Sequence, residues 1–500
     1  MSVNSVAGQS CYGPLPSAGV DKAGLIVPQP LVTPTETIRK GPLRYRRRMT
    51  LRSLTPLAML ALAGGCAPEV RLDVPASVYS DDWSAPAAAG AEPIGTRPLG
   101  LLLGSPELDA MIAAAVANNA GLKASEARAD QAAALLTGAR AAALPVVTGS
   151  LQAGGTRSSG DRSIFSFKES FAAIDASFDP DLFGRNRAIR RAAAERYRAA
   201  GLDRAAAGIA ITAQVALAYV QRGTLARRLG LLDASIVSAG DLDRIMRIRQ
   251  REGDANRVDV GLQAIRLKQL QSERTRLSEA LGETRTALAV LTGAEAPSFT
   301  ATIVDPDSLT APSLSVPLPA DLIARRPDLL AADARLQAAG GDVDAARRAF
   351  YPSFGLSVGG VATTVAAGPL VPIATLGADL LASIFSRSRL KGDLALSAAQ
   401  QREAAQLYRQ AVLEALRDVE DALSAIRHAR EREALLAEVE AEARTTSGLA
   451  RRQYLEGDAD LQQLLDAQDL LIAAQDARAL ARQELLAATI ALYAQTVSAG

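Results

Sequence analysis

The chain has 500 residues, with 55 lysines and arginines against 54 aspartates and glutamates, so its formal net charge is +1. This balance excludes the strongly basic surface that is typical of nucleic-acid-binding proteins. One histidine and two cysteines are too few for a Cys/His zinc site or a disulfide framework. The patterns G-x-x-x-x-G-K and H-E-x-x-H do not occur in the sequence. We therefore expect neither an enzyme nor a bound cofactor or metal.

The front of the chain has the composition of an export signal. Residues 1–48 are rich in proline, glycine and serine, and we expect them to be an extension upstream of the true start. Arg52, the apolar run Leu54–Leu62 and a set of small residues then lead to Cys66. Residues 49–65 resemble a bacterial lipoprotein signal peptide, which implies that Cys66 carries lipid. The alternative is an ordinary signal peptide with an incidental cysteine.

The rest of the chain contains an internal repeat. Nine residues between 122 and 150 recur identically 207 positions later, among them Leu122, Arg128 and Pro145. A later segment, Glu252–Asn256, matches Glu456–Asp460 at an offset of 204. The predicted organisation is an N-terminal segment at 66–104, a first repeat at 105–294, a connecting segment at 295–320 and a second repeat at 321–500.

Each repeat is predicted to begin with a helix, at 109–143 and at 321–349, that ends before a proline. Two strands follow in each repeat, because small, hydroxyl-bearing and glycine residues alternate with apolar ones. The predicted strands are Val146–Ala153 and Phe165–Phe178 in the first repeat, and Ser353–Val365 and Val371–Phe385 in the second.

Proline-free tracts at 181–296 and 373–500 predict long helices, because proline in a helix interior removes a hydrogen bond and clashes with the preceding turn. A helix over 186–250 would be about 100 Å long, and return helices are predicted at 257–292 and 460–494. The first return helix carries a leucine stripe with coiled-coil spacing, at Leu270, Leu277, Leu281, Leu288 and Leu291. Helices of this length must pack against parallel neighbours.

Four strands per chain are too few to close a barrel, since about eight is the small end of that architecture. An open sheet edge facing lipid would leave backbone groups without hydrogen-bond partners. The predicted fold class is therefore mostly α with a β-barrel part, in which several copies of the chain contribute strands to one barrel.

The duplicated plan resembles the TolC-like outer-membrane efflux factors, in particular the lipoprotein (NodT-like) branch that serves resistance-nodulation-division (RND) pumps. The resemblance extends over about residues 100–495 and is carried by Asp181–Arg185, Leu322–Asp328 and Tyr351-Pro352. It implies a homotrimer with a twelve-stranded transmembrane β-barrel and a trimeric α-barrel of long helical hairpins across the periplasm. It implies no nucleic-acid partner.

The same resemblance implies a passive channel that exports small molecules such as drugs, toxic compounds or metals. Its partners would be a periplasmic adaptor, an inner-membrane RND transporter and the lipid bilayer, and Cys66 would anchor the chain to the outer membrane. Two other functions stay open: a periplasmic coiled-coil adaptor or scaffold lipoprotein, and the outer-membrane channel of a type I protein-secretion system.

The candidate site residues lie at and near the two turns that join each long helix to its return helix. The resemblance places adaptor docking at the turns, at Gly253, Asp254, Asn256, Gly457, Asp458 and Asp460. Helix capping alone also accounts for these residue types. Arg451, Arg452 and Tyr454 are candidates for a periplasmic gate, with solvated side chains as the alternative. If such a gate exists, Arg452→Ala should raise the leak of bulky antibiotics.

Overall fold

The computed structural model describes residues 82–84, 92–93, 97–156, 166–365, 371–382 and 385–497. The predicted extension 1–48, the predicted signal peptide 49–65 and Cys66 lie outside these residues. The elements in chain order are β1 (Glu92–Pro93), α1 (Leu99–Leu102), α2 (Pro106–Asn118), α3 (Ala120–Ala141), β2 (Val146–Thr156), β3 (Ser166–Phe178), α4 (Arg185–Glu252), α5 (Arg257–Thr292), a 3-10 turn (Pro306–Ser308), β4 (Leu314–Ser315), α6 (Pro319–Ile323), α7 (Pro327–Arg348), β5 (Ser353–Val365), β6 (Val371–Leu381), α8 (Arg387–Glu456) and α9 (Leu461–Thr496).

Two long helical hairpins, α4–α5 and α8–α9, make up most of the structure. Helix α4 has 68 residues and α8 has 70, so each is about 100 Å long at 1.5 Å per residue. The predicted long helices and return helices are confirmed. The leucine stripe of α5 packs on α4, where Leu277 is buried against Leu225 and Leu232. Among the helices described, none combines the length and apolarity needed to cross a bilayer.

The helix predicted over 109–143 is two helices, because the backbone turns at Asn119 (φ −58°, ψ 124°). The Asn119 side chain accepts the N–H of Leu122 at 3.0 Å and donates to the carbonyl of Leu291 at 2.9 Å. A side chain that caps a helix in this way satisfies a donor that the helix leaves free. The prediction of one continuous helix is therefore wrong at this point.

The helix predicted over 321–349 is also interrupted, between α6 and α7. Pro327 occupies the first turn of α7, where its missing N–H costs nothing. Arg326 is buried and forms a fork with the Asp328 carboxylate, with Nη2–Oδ2 at 2.7 Å and Nε–Oδ1 at 3.1 Å. Burial alone would raise the pKa of Asp328, but the hydrogen bonds and charge of Arg326 lower it below its usual value.

A large buried cluster lies partway along the hairpins and joins the two repeats. It contains Tyr219 of α4, Leu288 of α5 and Ile490 of α9, together with Leu314 of the connecting segment. Arginines of the long helices, among them Arg227, Arg430 and Arg482, fix that segment in place. Arg227 pairs with Asp305 and Asp307, Arg430 donates to the carbonyls of Ala311 and Pro312, and Arg482 donates to those of Pro306 and Leu309.

The four longer strands form one antiparallel sheet in the order β2-β3-β5-β6. The pairing of β3 with β5 joins the two repeats, since β2–β3 and β5–β6 are the hairpins of the separate repeats. Strands β2 and β6 are left at the two edges, without a further partner among the described residues. The predicted strand pairs are confirmed.

Candidate functional site

The two faces of the sheet differ in polarity. Cross-strand partners share a face, and so do alternate residues along one strand. The polar face, defined by Thr148, Ser150, Asp175, Ser177, Ser357, Thr375 and Asp379, also carries a few apolar residues such as Ile373. The apolar face is defined by Val147, Leu151, Ile174, Val358, Leu376 and Leu380, and Leu151 and Leu376 are each 85% exposed. Such a sheet suits a wall between water and lipid.

Glycines of β5 leave room for the carboxylates of the polar face. Gly359 pairs with Asp175, and a Cβ at 359 would overlap the Asp175 carboxylate. Gly355 pairs with Asp379, and a Cβ there would lie 2.7 Å from Asp379 Oδ2. The run from 355 to 359 also matches the G-x-S-x-G nucleophile pattern. Its Ser357 lies within a regular strand rather than on a strand-to-helix turn, so the pattern is incidental here.

The motif residues of the two repeats meet at the end of the sheet. The rings of Phe183 and Tyr351 stack, with centroids 5.2 Å apart. Arg348 donates to the carbonyl of Gly184 at 2.5 Å. Asp181, at φ 52°, caps α4 by accepting the backbone N–H groups of Asn186 at 2.9 Å and Arg187 at 2.8 Å. These contacts fix the angle at which α4 leaves the sheet.

The two hairpin tips have matching backbone geometry. Gly253 (φ 87°) and Gly457 (φ 91°) end α4 and α8 in the left-handed conformation. The N–H groups of the next residues, Asp254 and Asp458, donate to the carbonyls of Arg249 and Gln453, each at 2.8 Å. This is the Schellman arrangement, in which a left-handed residue closes the last turn of a helix.

The return helices begin at capping side chains. Asn256 accepts the N–H of Asp259 at 2.9 Å, and Asp460 accepts that of Gln463 at 2.8 Å. The carboxylates of Asp254 and Asp458 have no such role and are exposed. Four of the six residues predicted at the tips therefore end or cap a helix: Gly253, Gly457, Asn256 and Asp460. The carboxylates of the remaining two, Asp254 and Asp458, are available for contacts with another protein.

Asp460→Ala is expected to destabilise the start of α9 by about 1 kcal/mol, because the Gln463 N–H loses its acceptor. Hydrogen–deuterium exchange at the first turn of α9 measures this loss. Asp458→Ala is the matched control, since Asp458 contributes its backbone N–H, which alanine keeps. Equal exchange in the two variants would contradict the capping role of Asp460.

The three gate candidates occupy different environments. Tyr454 is buried between the hairpins against Leu242, Met246, Val260, Leu464 and Leu465. The Arg249 guanidinium carbon lies 5.4 Å from the Tyr454 ring centroid, within cation–π range. Arg451 and Arg452 are exposed and make no hydrogen bond or ion pair with the described part of the chain. Of the three candidates, Tyr454 is the one whose side chain packs between the two hairpins.

Ion pairs between the hairpins are the contacts that sequence reasoning missed. Arg228 of α4 pairs with Asp476 of α9 through two hydrogen bonds, at 2.5 and 3.1 Å. Arg266 of α5 pairs with Asp469 of α9 at 2.5 Å. The first two partners are 248 residues apart and the second two are 203 residues apart, and in each pair the partners come from different repeats. No local pattern in the sequence pairs them.

Comparison with known proteins identifies relatives over most of the chain. The profile of the family described as "Outer membrane efflux protein" matches residues 111–294 and 318–496. The pyoverdine export outer membrane protein OpmQ of Pseudomonas putida is 32% identical over 455 residues, covering 87% of this chain and 94% of the relative. The outer membrane protein OprJ of Pseudomonas aeruginosa is 28% identical over 436 residues, covering 83% and 89%.

Solved structures share the fold. A membrane protein from Pseudomonas aeruginosa superposes with a TM-score of 0.77 at 26% identity, covering 86% of this chain and 99% of that one. The CmeC outer membrane channel of Campylobacter jejuni superposes with a TM-score of 0.76 at 19% identity, covering 87% and 96%. The duplicated hairpins and the four-stranded sheet are thus a shared architecture.

Proposed function

The chain belongs to the outer membrane efflux protein family, and from this premise we propose that three copies form a passive outer-membrane channel of a tripartite efflux pump. The observation that carries the proposal is the four-stranded sheet, with one apolar face, one polar face and two edges that lack partners in the described chain. Three copies supply twelve strands, which is enough to close a barrel without open edges.

In this assembly the apolar face contacts lipid and the polar face lines the pore. The long helices continue the pore into the periplasm for about 100 Å. Transport through the pore needs no catalytic group, because substrate moves down its gradient once a transporter has loaded it. Named relatives export pyoverdine, toluene and cations. We infer that the choice of substrate resides in an inner-membrane RND transporter, coupled through a periplasmic adaptor.

Two assignments extend this proposal to single residues. Lipid on Cys66 supplements the barrel as an anchor, since one acyl chain alone binds membranes only marginally. The exposed carboxylates of Asp254 and Asp458 contact the adaptor at the hairpin tips. Asp458→Ala should therefore weaken adaptor binding while leaving the exchange rates of α9 unchanged.

Channel activity is tested on the full chain purified from outer membranes in detergent. We expect a trimer mass and discrete conductance steps in planar bilayers. Deletion of the gene should lower the minimal inhibitory concentrations of the pump's substrates, and expression of the intact chain should restore them. A scaffold or adaptor lipoprotein would instead be a soluble protein without conductance once its lipid signal is removed, and that result would contradict the proposal.

Tyr454→Ala is expected to make the closed channel leak. Removing the buried ring costs about 3–5 kcal/mol of packing between the hairpins, so their ends separate more readily. Uptake of a bulky antibiotic by cells without an active pump measures the leak.

Arg452→Ala separates contacts within a chain from contacts between chains. Arg452 has no partner in the described part of its own chain, so its contribution to the gate needs a neighbouring copy. We expect a leak with unchanged stability of the single chain. Normal antibiotic susceptibility at normal expression would remove Arg452 from the gate.

A further inference from the structure

A cavity of about 310 Å³ lies between the two helical hairpins. All four long helices line it, and on α8 the lining extends from Arg444 to Arg451. This stretch is within about 20 Å of the hairpin tip, from the rise of 1.5 Å per residue. Leu231, Leu270 and Leu471 form an apolar wall. The volume is at the lower end of the range of small-molecule sites, which is about 300–1,000 Å³.

The polar lining is cationic. It contains Arg266, Arg444 and Arg451 and no carboxylate. Asp469 neutralises Arg266, and Glu440 neutralises Arg444 from outside the lining. Arg451 makes no ion pair with the residues described, so the cavity retains one uncompensated positive charge.

Arg266 is incompletely hydrogen-bonded for a buried guanidinium. Its residue exposure is 9%. Its Nη1 contacts Asp469 Oδ2 at 2.5 Å and the Leu465 carbonyl at 3.4 Å. Its Nε and Nη2 atoms are buried and have no partner. Since arginine carries one N–H on Nε and two on Nη2, three of its five donors are unused. Buried donors in proteins are normally satisfied, so an acceptor is expected beside them.

Ser447 adds a hydroxyl to the same lining. Its side chain is buried on α8, one turn before Arg451, and it has no hydrogen-bond partner among the described residues. A hydroxyl that shares a cavity lining with two guanidinium groups completes a donor set that suits a carboxylate or a sulfate. The leucines of the same lining suit a hydrocarbon chain.

We propose that this interhairpin cavity binds a small amphiphilic organic anion, with its carboxylate or sulfate head on Arg266, Arg451 and Ser447 and its alkyl chain against Leu231, Leu270 and Leu471. The bound anion contacts both hairpins at once. It therefore stabilises their packed arrangement, and the stabilisation grows with the logarithm of the free anion concentration once this exceeds the dissociation constant. The proposal concerns one chain and does not depend on the transport function.

The test uses the full chain in a nonionic detergent and hexanoate as the probe, measured by isothermal titration calorimetry. We expect one saturable site per chain and a higher thermal unfolding midpoint at saturation. Arg266→Gln and Arg451→Gln should each weaken binding at least tenfold. Arg427→Gln is the matched control, because Arg427 is an exposed α8 arginine outside the lining, with no ion pair to the described chain.

Four results would overturn the proposal. The first is the absence of saturable hexanoate binding. The second is binding of hexylammonium or hexanol as tight as that of hexanoate. The third is equal binding of inorganic sulfate, which would show a site for small inorganic anions only. The fourth is a density map at saturating hexanoate with only water in the cavity. Arg451 is exposed, so Arg451→Gln tests the site even if Arg266→Gln does not fold.

Discussion

Replacing Leu376 with arginine is expected to keep the protein out of the outer membrane, whereas arginine at the adjacent Thr375 is tolerated. Leu376 is 85% exposed on the apolar face, and Thr375 lies on the polar face. An arginine on the lipid side of a barrel strand costs about 2–4 kcal/mol at the bilayer midplane. In the proposed trimer, three copies would incur that cost. On the pore side the same side chain remains in water.

The amount of trimer in outer-membrane fractions measures insertion. The two positions are adjacent on one strand, so Thr375→Arg controls for any general effect of added charge and size. The ion selectivity of the Thr375→Arg channel should shift toward anions, since its guanidinium groups line the proposed pore. Normal insertion of Leu376→Arg together with loss of Thr375→Arg would reverse the assignment of the two faces.

Gly223→Ala is expected to destabilise the middle of the molecule, although alanine is the better helix former. Gly223 is buried in α4, where the connecting segment crosses the helix, and a Cβ there would overlap the carbonyl oxygen of Val304. Overpacking of this kind costs about 1–3 kcal/mol. The displaced segment would also weaken the hydrogen bond of 3.3 Å from Arg222 to the carbonyl of Ala301.

Gly230→Ala is the control for Gly223→Ala. Gly230 lies on the same helix, but a Cβ there meets nothing within 4 Å. Alanine should therefore stabilise the helix by about 0.5–1 kcal/mol at this position. The midpoint of thermal loss of helical circular dichroism should fall for the first variant and rise slightly for the second. Similar midpoints for the two variants would show that the connecting segment moves away from residue 223 without a loss of stability.

The regular elements were predictable because their causes are local. Proline-free tracts mark α4, α5, α8 and α9, and alternation marks the strands. The break at Asn119 has a local signal, an asparagine that caps the next helix, whereas its hydrogen bond to the carbonyl of Leu291, 172 residues away, has none in the sequence. The second break, before Pro327, is one that the proline itself indicates, and the sequence prediction overlooked it.

The candidate site was predictable only in part. The tip glycines and caps follow from residue type and position. The burial of Tyr454 beside exposed Arg451 and Arg452 depends on which face of α8 meets the first hairpin. The pairs Arg228–Asp476 and Arg266–Asp469 depend on the packing of two repeats that no local pattern relates.

The pairing of β3 with β5 has a consequence for biogenesis. Its partners are 178 residues apart at Phe178 and Leu356 and 196 residues apart at Glu169 and Val365. Contacts at such separation form late, because the intervening chain must first be ordered. During synthesis, the first β-hairpin therefore keeps the β3 edge unpaired until the second repeat has been made. The unpaired edge of β3 is therefore the place where a partly made chain is expected to aggregate.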